Sequence, residues 1–195
     1  MTSSLDSVSD ALGRSDSTRQ FLRHVMVVGG TLSDWDELGD IRWSRRVSEL
    51  GEVASNAGAS FLTLRAFEPG PIPSTSQRWE RIVDGCHVVV DPCGDGRERF
   101  AESLAALPAD EPVNEASISE MLYAPADCEP DLVVVLGEPT RLPPSIVWEL
   151  AYGELVFTPL RWDELGVDHL VEAIADFARR ERRFGGIDED DASEA

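Results

Sequence analysis

The sequence predicts a single α/β domain, a mainly parallel sheet with helices on both faces. Three observations carry this. Short apolar runs alternate with segments of helical periodicity. Runs such as HVMVV (His24–Val28) and LVVVL (Leu132–Leu136) are almost continuously apolar, as strands buried on both faces must be. And 195 residues make one domain with a sizeable core.

Residues 1–20 are rich in Ser, Asp and Thr and read as a flexible tail with a short helix near Ser17–Arg23. His24–Val28 is the first strand. Gly29 and Gly30 follow it, where an open parallel sheet places its ligand loop, but a lone Gly-Gly reads as a turn. Asp40 caps the next helix, Val47, Leu50, Ala54 and Ala57 form its buried stripe, and Gly58 stops it. Ser60–Ala66 is the second strand, and EPGPIPSTSQ (68–77) is a loop. Trp79–Val83 reads as a short helical turn. His87–Val90 is the third strand, with Pro92-Cys93-Gly94 as its exit turn. Arg97–Leu107 and Asn114–Tyr123 are helices, the second capped by Asn114. Leu132–Leu136 is the fourth strand and Gly137 opens a turn. Pro143 and Pro144 suit a helix start, and Ile146, Val147, Leu150 and Ala151 recur at helical spacing, so a helix is predicted there. Glu154–Thr158 is the fifth strand. The last helix, Val167–Arg183, buries Leu170, Val171, Ile174, Phe177 and Ala178. Four arginines crowd its C-terminal end, where the helix dipole favours cations. Residues 187–195 hold five acids in nine positions and read as a disordered tail, leaving 21–186 as the domain.

The formal net charge of -20 excludes nucleic acid as a partner and a polybasic membrane dock. No apolar run approaches the ~20 residues of a membrane span, and the polar N-terminus predicts no signal peptide. All 17 basic residues are Arg. The three cysteines form no paired framework, which predicts reduced thiols and a cytoplasmic location. Cys86, His87 and Cys93 fit no zinc spacing.

Three blocks resemble the cis-prenyltransferases, the undecaprenyl diphosphate synthase family. Residues 131–158, DLVVVLGEPTRLPPSIVWELAYGELVFT, resemble the family's signature segment without a gap. Asp131, Gly137, Arg141, Trp148, Tyr152, Glu154, Phe157 and Thr158 are among the matches. His24–Phe67 resembles the opening block, matching at His24, Trp35, Leu62-Thr63-Leu64 and Ala66-Phe67. Residues 178–186, ARRERRFGG, resemble the C-terminal Arg-Glu-Arg-Arg-Phe-Gly-Gly. The stretch between Phe67 and Val88 is shorter than the family's, where helices line a hydrophobic product tunnel.

The resemblance fails where substrate is handled. Gly30 stands in place of the catalytic Asp that holds magnesium and the allylic diphosphate. Thr31, Leu32, Ser33 and Asp34 replace the phosphate-cradling Gly-Asn-Gly-Arg, Val135 replaces a diphosphate-binding Arg, and Thr140 and Pro143 replace further polar contacts. Condensing two diphosphates requires cations and charge-assisted donors to hold charge that develops in the transition state. Each lost donor is worth ~1.5–3 kcal/mol. Two or three such losses come to roughly three to six decades in affinity or rate.

The resemblance therefore implies a non-catalytic homologue, similar to the Nogo-B-receptor-type accessory subunits. It would pair with a catalytic cis-prenyltransferase subunit, or with itself, through an interface holding Trp148, Tyr152 and Phe157. Arg183 and Gly185 would complete the partner's diphosphate site. No catalytic residue and no metal or other cofactor is expected of the chain itself. Arg141 and Glu154 remain from the substrate site. Glu154 reads equally as a leftover metal ligand or a structural acceptor, and the aromatics equally as interface or core. The alternative is a diverged prenyltransferase or terpene-forming enzyme acting on short isoprenyl diphosphates, with Asp34, Asp36 or Glu154 holding Mg2+. A third class is a module that binds polyprenyl intermediates without reacting.

Overall fold

The computed structural model describes residues 22–67, 78–151 and 153–184, with side chains described to Arg180. The predicted tails, the loop 68–77, Tyr152 and Gly185 lie outside the described residues.

Six strands form one sheet: β1 (His24–Val28), β2 (Phe61–Arg65), β3 (Trp79–Val83), β4 (Cys86–Asp91), β5 (Leu132–Leu136) and β6 (Glu154–Thr158). Their order is β3-β4-β2-β1-β5-β6, parallel throughout except for β3. The helices are α1 (Leu32–Leu38), α2 (Asp40–Asn56), α3 (Gly96–Ala106), α4 (Glu115–Tyr123) and α5 (Val167–Phe184). The α/β architecture predicted from the alternation of runs is the one found.

Period-two alternation divides each strand between two cores. Val25 and Val27 pack with α2 and α5 through Val47, Leu50 and Leu170. Met26 and Val28 pack on the other face with α3 and α4 through Phe100, Leu104, Ile118 and Leu122. With both faces covered, β1 and β5 have no polar side, which is why they read as unbroken apolar runs.

Side chains close the helix ends and strand starts. Asn114 caps α4 by accepting from the Ser117 amide at 3.0 Å, and the Ser117 hydroxyl accepts from the Asn114 amide at 3.1 Å. The Asp131 carboxylate accepts from the Arg23 and His24 amides at 2.7 and 2.9 Å, tying the start of β1 to β5.

Two elements differ from the reading of the sequence. Trp79–Val83 is not a helical turn but the antiparallel edge strand β3, joined to β4 by Asp84-Gly85. Both turn residues have positive φ, 48° and 89°, the geometry that lets a two-residue loop follow the twist of a hairpin. The helix predicted from Pro143 is two 3-10 turns, Pro144–Ile146 and Glu149–Ala151. Ile146 is buried as expected, but Val147 and Leu150 point outward and Glu149 is buried instead. Helix α1 was not anticipated; its capping box is described below.

His24 is buried with both ring nitrogens engaged. Nδ1 lies 3.0 Å from the Cys128 carbonyl and Nε2 2.9 Å from Thr63 Oγ1. A carbonyl only accepts, so Nδ1 donates; in the neutral ring Nε2 then accepts from the Thr63 hydroxyl. Burial, helped by the field of Arg65, pushes His24 down to about 4 from its ordinary 6.5. The unfolded chain therefore binds more protons than the folded one in this window, and stability falls as pH drops through it. Urea unfolding at pH 7 and pH 5 should differ by about 2 kcal/mol from this group, and His24→Gln should flatten that difference.

Candidate functional site

The carboxyl ends of the parallel strands, where open α/β sheets take ligands, bring together Gly29-Gly30, Arg65, Asp91 and the turn after Leu136. Two constructions occupy this edge.

The first closes the end of β1. Gly30 has φ 69°, and a Cβ there would lie 2.8 Å from Trp162 Cβ and 3.2 Å from Trp35 Cδ1. Trp35, Trp43 and Trp162 pack ring on ring, with centroids 5.0–5.6 Å apart. Trp35 donates its indole N–H to the Gly29 carbonyl at 2.9 Å. Arg46 holds the Trp162 and Asp163 carbonyls through its guanidinium, which keeps the loop seated. Asp34 does not face a ligand. Its carboxylate accepts from the Thr31 amide at 2.6 Å while Thr31 Oγ1 accepts from the Asp34 amide, the capping box of α1.

The second is a buried cluster of four charges. Arg65 and Asp91 lie side by side at the ends of β2 and β4. Arg65 reaches Asp91 at 3.4 Å and Glu149 at 2.6 Å; Arg99, on α3, reaches the same acids at 3.2 and 3.6 Å. Arg65 also donates to the Ser145 carbonyl at 3.1 Å, and Arg99 lies over the Tyr123 ring at 5.6 Å. Burial alone would raise the two carboxyls, but Arg65 and Arg99 outweigh it and hold both below the ordinary carboxylate range. Burial and the neighbouring Arg65 push Arg99 down to about 10, which leaves it charged at neutral pH. All four groups are thus ionised and their charges sum to zero.

The residues predicted for the site are dispersed. Arg141 stands over the Phe67 ring at 5.5 Å. Glu154 accepts from Arg180 at 3.0 Å, and Arg180 also meets Asp176 at 2.7 Å. Val135 is buried in the second core. Trp148 is half-buried, donates to Glu129 at 3.1 Å and stacks on Phe100, while Phe157 packs against the same core. Arg183 falls within α5. Cavities of about 680 and 380 Å³ lie by the α4–β5 connection and beside Asp91 and Arg99, and none of the predicted site residues lines either. Trp162, Arg65, Asp91, Arg99 and Glu149 were not singled out from sequence. The available signal was a charge ending an otherwise apolar strand, in FLTLR and in CHVVVD.

A family model described as putative undecaprenyl diphosphate synthase matches residues 78–185. The chain belongs to this family. It is 35% identical over 131 residues to the isoprenyl transferase of Bacillus subtilis, covering 64% of this chain and 49% of that protein. Against isoprenyl transferase 2 of Bradyrhizobium diazoefficiens it is 41% identical over 75 residues, 38% of this chain and 30% of the relative. The chain spans between 28% and 49% of the length of such curated relatives. Its fold matches a probable undecaprenyl diphosphate synthase of Campylobacter jejuni with a TM-score of 0.58 at 18% identity, covering 86% of this chain and all of that one. It also matches, at 0.51 and 19%, the lavandulyl diphosphate synthase of Lavandula x intermedia solved with dimethylallyl diphosphate, covering 80% and 94%.

Membership in the undecaprenyl diphosphate synthase family corrects the expectation of no cofactor. The relatives are named as transferases and diphosphate synthases, and the family's chemistry uses Mg2+ with diphosphate substrates. At Gly30, where the resemblance places the family's magnesium-holding Asp, the described residues do not fit that ion. Gly30 brings no carboxylate, Asp34 is spent on its cap and Glu154 on Arg180. Among the described residues no group of three His, Cys, Asp or Glu is placed to hold a metal.

Two outcomes follow from this packing. Gly30→Asp should not restore a metal site but should lower stability by about 2–4 kcal/mol, through left-handed strain and displacement of Trp162, read by urea unfolding. Arg65→Met should cost about 3–5 kcal/mol by leaving two buried carboxylates to share Arg99 alone, read the same way.

Proposed function

We propose that this domain, about residues 21–186, is a non-catalytic member of its family. It pairs in the cytoplasm with an intact isoprenyl transferase and completes that subunit's diphosphate site through Arg183 and the Gly185 amide. The observation that carries the reading is the closure at Gly30. The position that bears the family's catalytic Asp lies under two indoles, in a backbone conformation that favours glycine. In this reading the chain supplies a cation and a backbone donor at the rim of the diphosphate site.

Two further features support pairing. The segment that resembles the family's dimer block leaves Leu142, Val147 and Leu150 between 45% and 51% exposed, an apolar group of the kind a partner covers. The C-terminal Arg-Phe-Gly-Gly is intact in the sequence.

The names of the relatives favour a second reading, a diverged prenyltransferase acting on short isoprenyl diphosphates. Asp36 would have to carry its metal, since Asp34 and Glu154 are engaged. One experiment separates the two. The chain alone, given Mg2+, isopentenyl diphosphate and short allylic diphosphates, should form no product. Mixed with the intact isoprenyl transferase of its own organism, it should raise turnover. Arg183→Ala should cut that stimulated rate by roughly 10- to 100-fold, the loss of one charge-assisted contact. Product from the chain alone would replace this reading with the second, and indifference to Arg183→Ala would remove the role of the tail.

A further inference from the structure

The smaller of the two cavities, about 380 Å³, opens at the carboxyl end of β4, between α3 and the end of α4. Its floor is the buried pair of Asp91 and Arg99, 3.2 Å apart. Arg99 also holds the Leu122 carbonyl, and Arg78 holds that of Ala124, so two guanidiniums tie the end of α4 to the cavity. The lining carries two cations, Arg78 and Arg99, and two carboxylates, Asp91 and Glu102. That balance is local, in a chain of formal net charge -20. Asp91 and Arg99 neutralise each other. Arg78 and Glu102 are both exposed, and among the described residues neither forms an ion pair. Arg99, Glu102, Ser103 and Ala106 recur at three- and four-residue spacing and share one face of α3. Met121 and Leu122 make an apolar wall opposite them.

We propose that this cavity binds a small zwitterion with an aliphatic body, a free amino acid of the leucine type. Its carboxylate meets Arg78, whose planar guanidinium suits a two-oxygen acceptor. Its ammonium meets Glu102, with the Ser103 hydroxyl as a neutral acceptor beside it. Its side chain packs on Met121, Leu122 and Ala106. Charge decides the class. A simple anion is drawn to Arg78 and repelled by Glu102, and a simple cation the reverse, whereas a molecule carrying both charges satisfies both. Size agrees, since sites for small molecules run upward from about 300 Å³ and this one lies near that lower end. The Asp91–Arg99 floor is already neutral and serves as a fixed support. None of the residues lining the cavity lies in 131–158 or in the C-terminal block, so the site is independent of the pairing reading.

The test titrates the full chain calorimetrically with three probes: L-leucine, isocaproate, which lacks the ammonium, and isoamylamine, which lacks the carboxylate. Leucine should bind saturably, and each truncated probe roughly tenfold more weakly, the loss of one charge-assisted contact. Two surface variants separate the contacts. Arg78→Gln should weaken leucine and isocaproate roughly tenfold and leave isoamylamine unchanged. Glu102→Gln should weaken leucine and isoamylamine by a similar factor and leave isocaproate unchanged. Melting temperatures are read first. Arg78→Gln also gives up the Ala124 carbonyl, so if it fails to fold, Glu102→Gln and the three probes decide. Absence of saturable leucine binding to the unaltered chain would overturn the site. Equal affinity for leucine and both truncated probes would overturn the zwitterion. Leucine binding at full strength in both variants would put the ligand elsewhere and overturn the proposal.

Discussion

The salt link from Arg65 to Glu149 organises the carboxyl edge of this sheet. It joins β2, β4, α3 and the crossover segment before β6 in one buried, electrically neutral cluster. A lone charge at that depth would be intolerable, so the four residues form a unit, each licensing the others. The unit has a geometric consequence. A carboxylate drawn inward at Glu149 rotates its neighbours, and Val147 and Leu150 turn out to solvent. Burying one polar residue and exposing two apolar ones are the same event.

At the end of β1 the same edge is closed by different means. Three indoles stack where a phosphate-binding loop would need room, and Gly30 survives as glycine because Trp162 leaves no space for a side chain. A single substitution would leave an empty cradle, whereas here the space is packed and Arg46 holds the packing in place. Aromatic filling of this kind stabilises the fold by burying large apolar surface.

Much of the fold was legible because local signals agreed with tertiary demand. The bounds read for β1, β5 and β6 coincide with those observed, and β1 and β5 are buried on both faces, which leaves them apolar. Asn114 announced its helix because a capping side chain is a local device. What escaped was written in short or distant signals. The Asp84-Gly85 hairpin is two residues, and Trp79–Val83, an edge strand with Glu80 and Arg81 exposed, lacks an apolar pattern. Helix α1 hid in a segment read for its losses, where Thr31 and Asp34 form a cap instead. The segment from Pro143 carried a real helical period, and a tertiary ion pair overrode it. The four charges sit at 65, 91, 99 and 149, so no window of sequence could place them together, although an Arg and an Asp ending two apolar strands were a visible hint.

The two constructions bear on each other. Trp162 and Trp35 pack against the Gly30 end. The charge cluster beside it nevertheless spends buried ions on holding an apolar segment outward. Folding alone does not explain that arrangement, because a hydrophobic replacement of buried ion pairs is often as stable or more so. Val147 and Leu150 leave about half of their surface exposed, which adds a liability to association. The buried charges and the half-exposed apolar pair are therefore one feature of this edge, held together by the Arg65–Glu149 link.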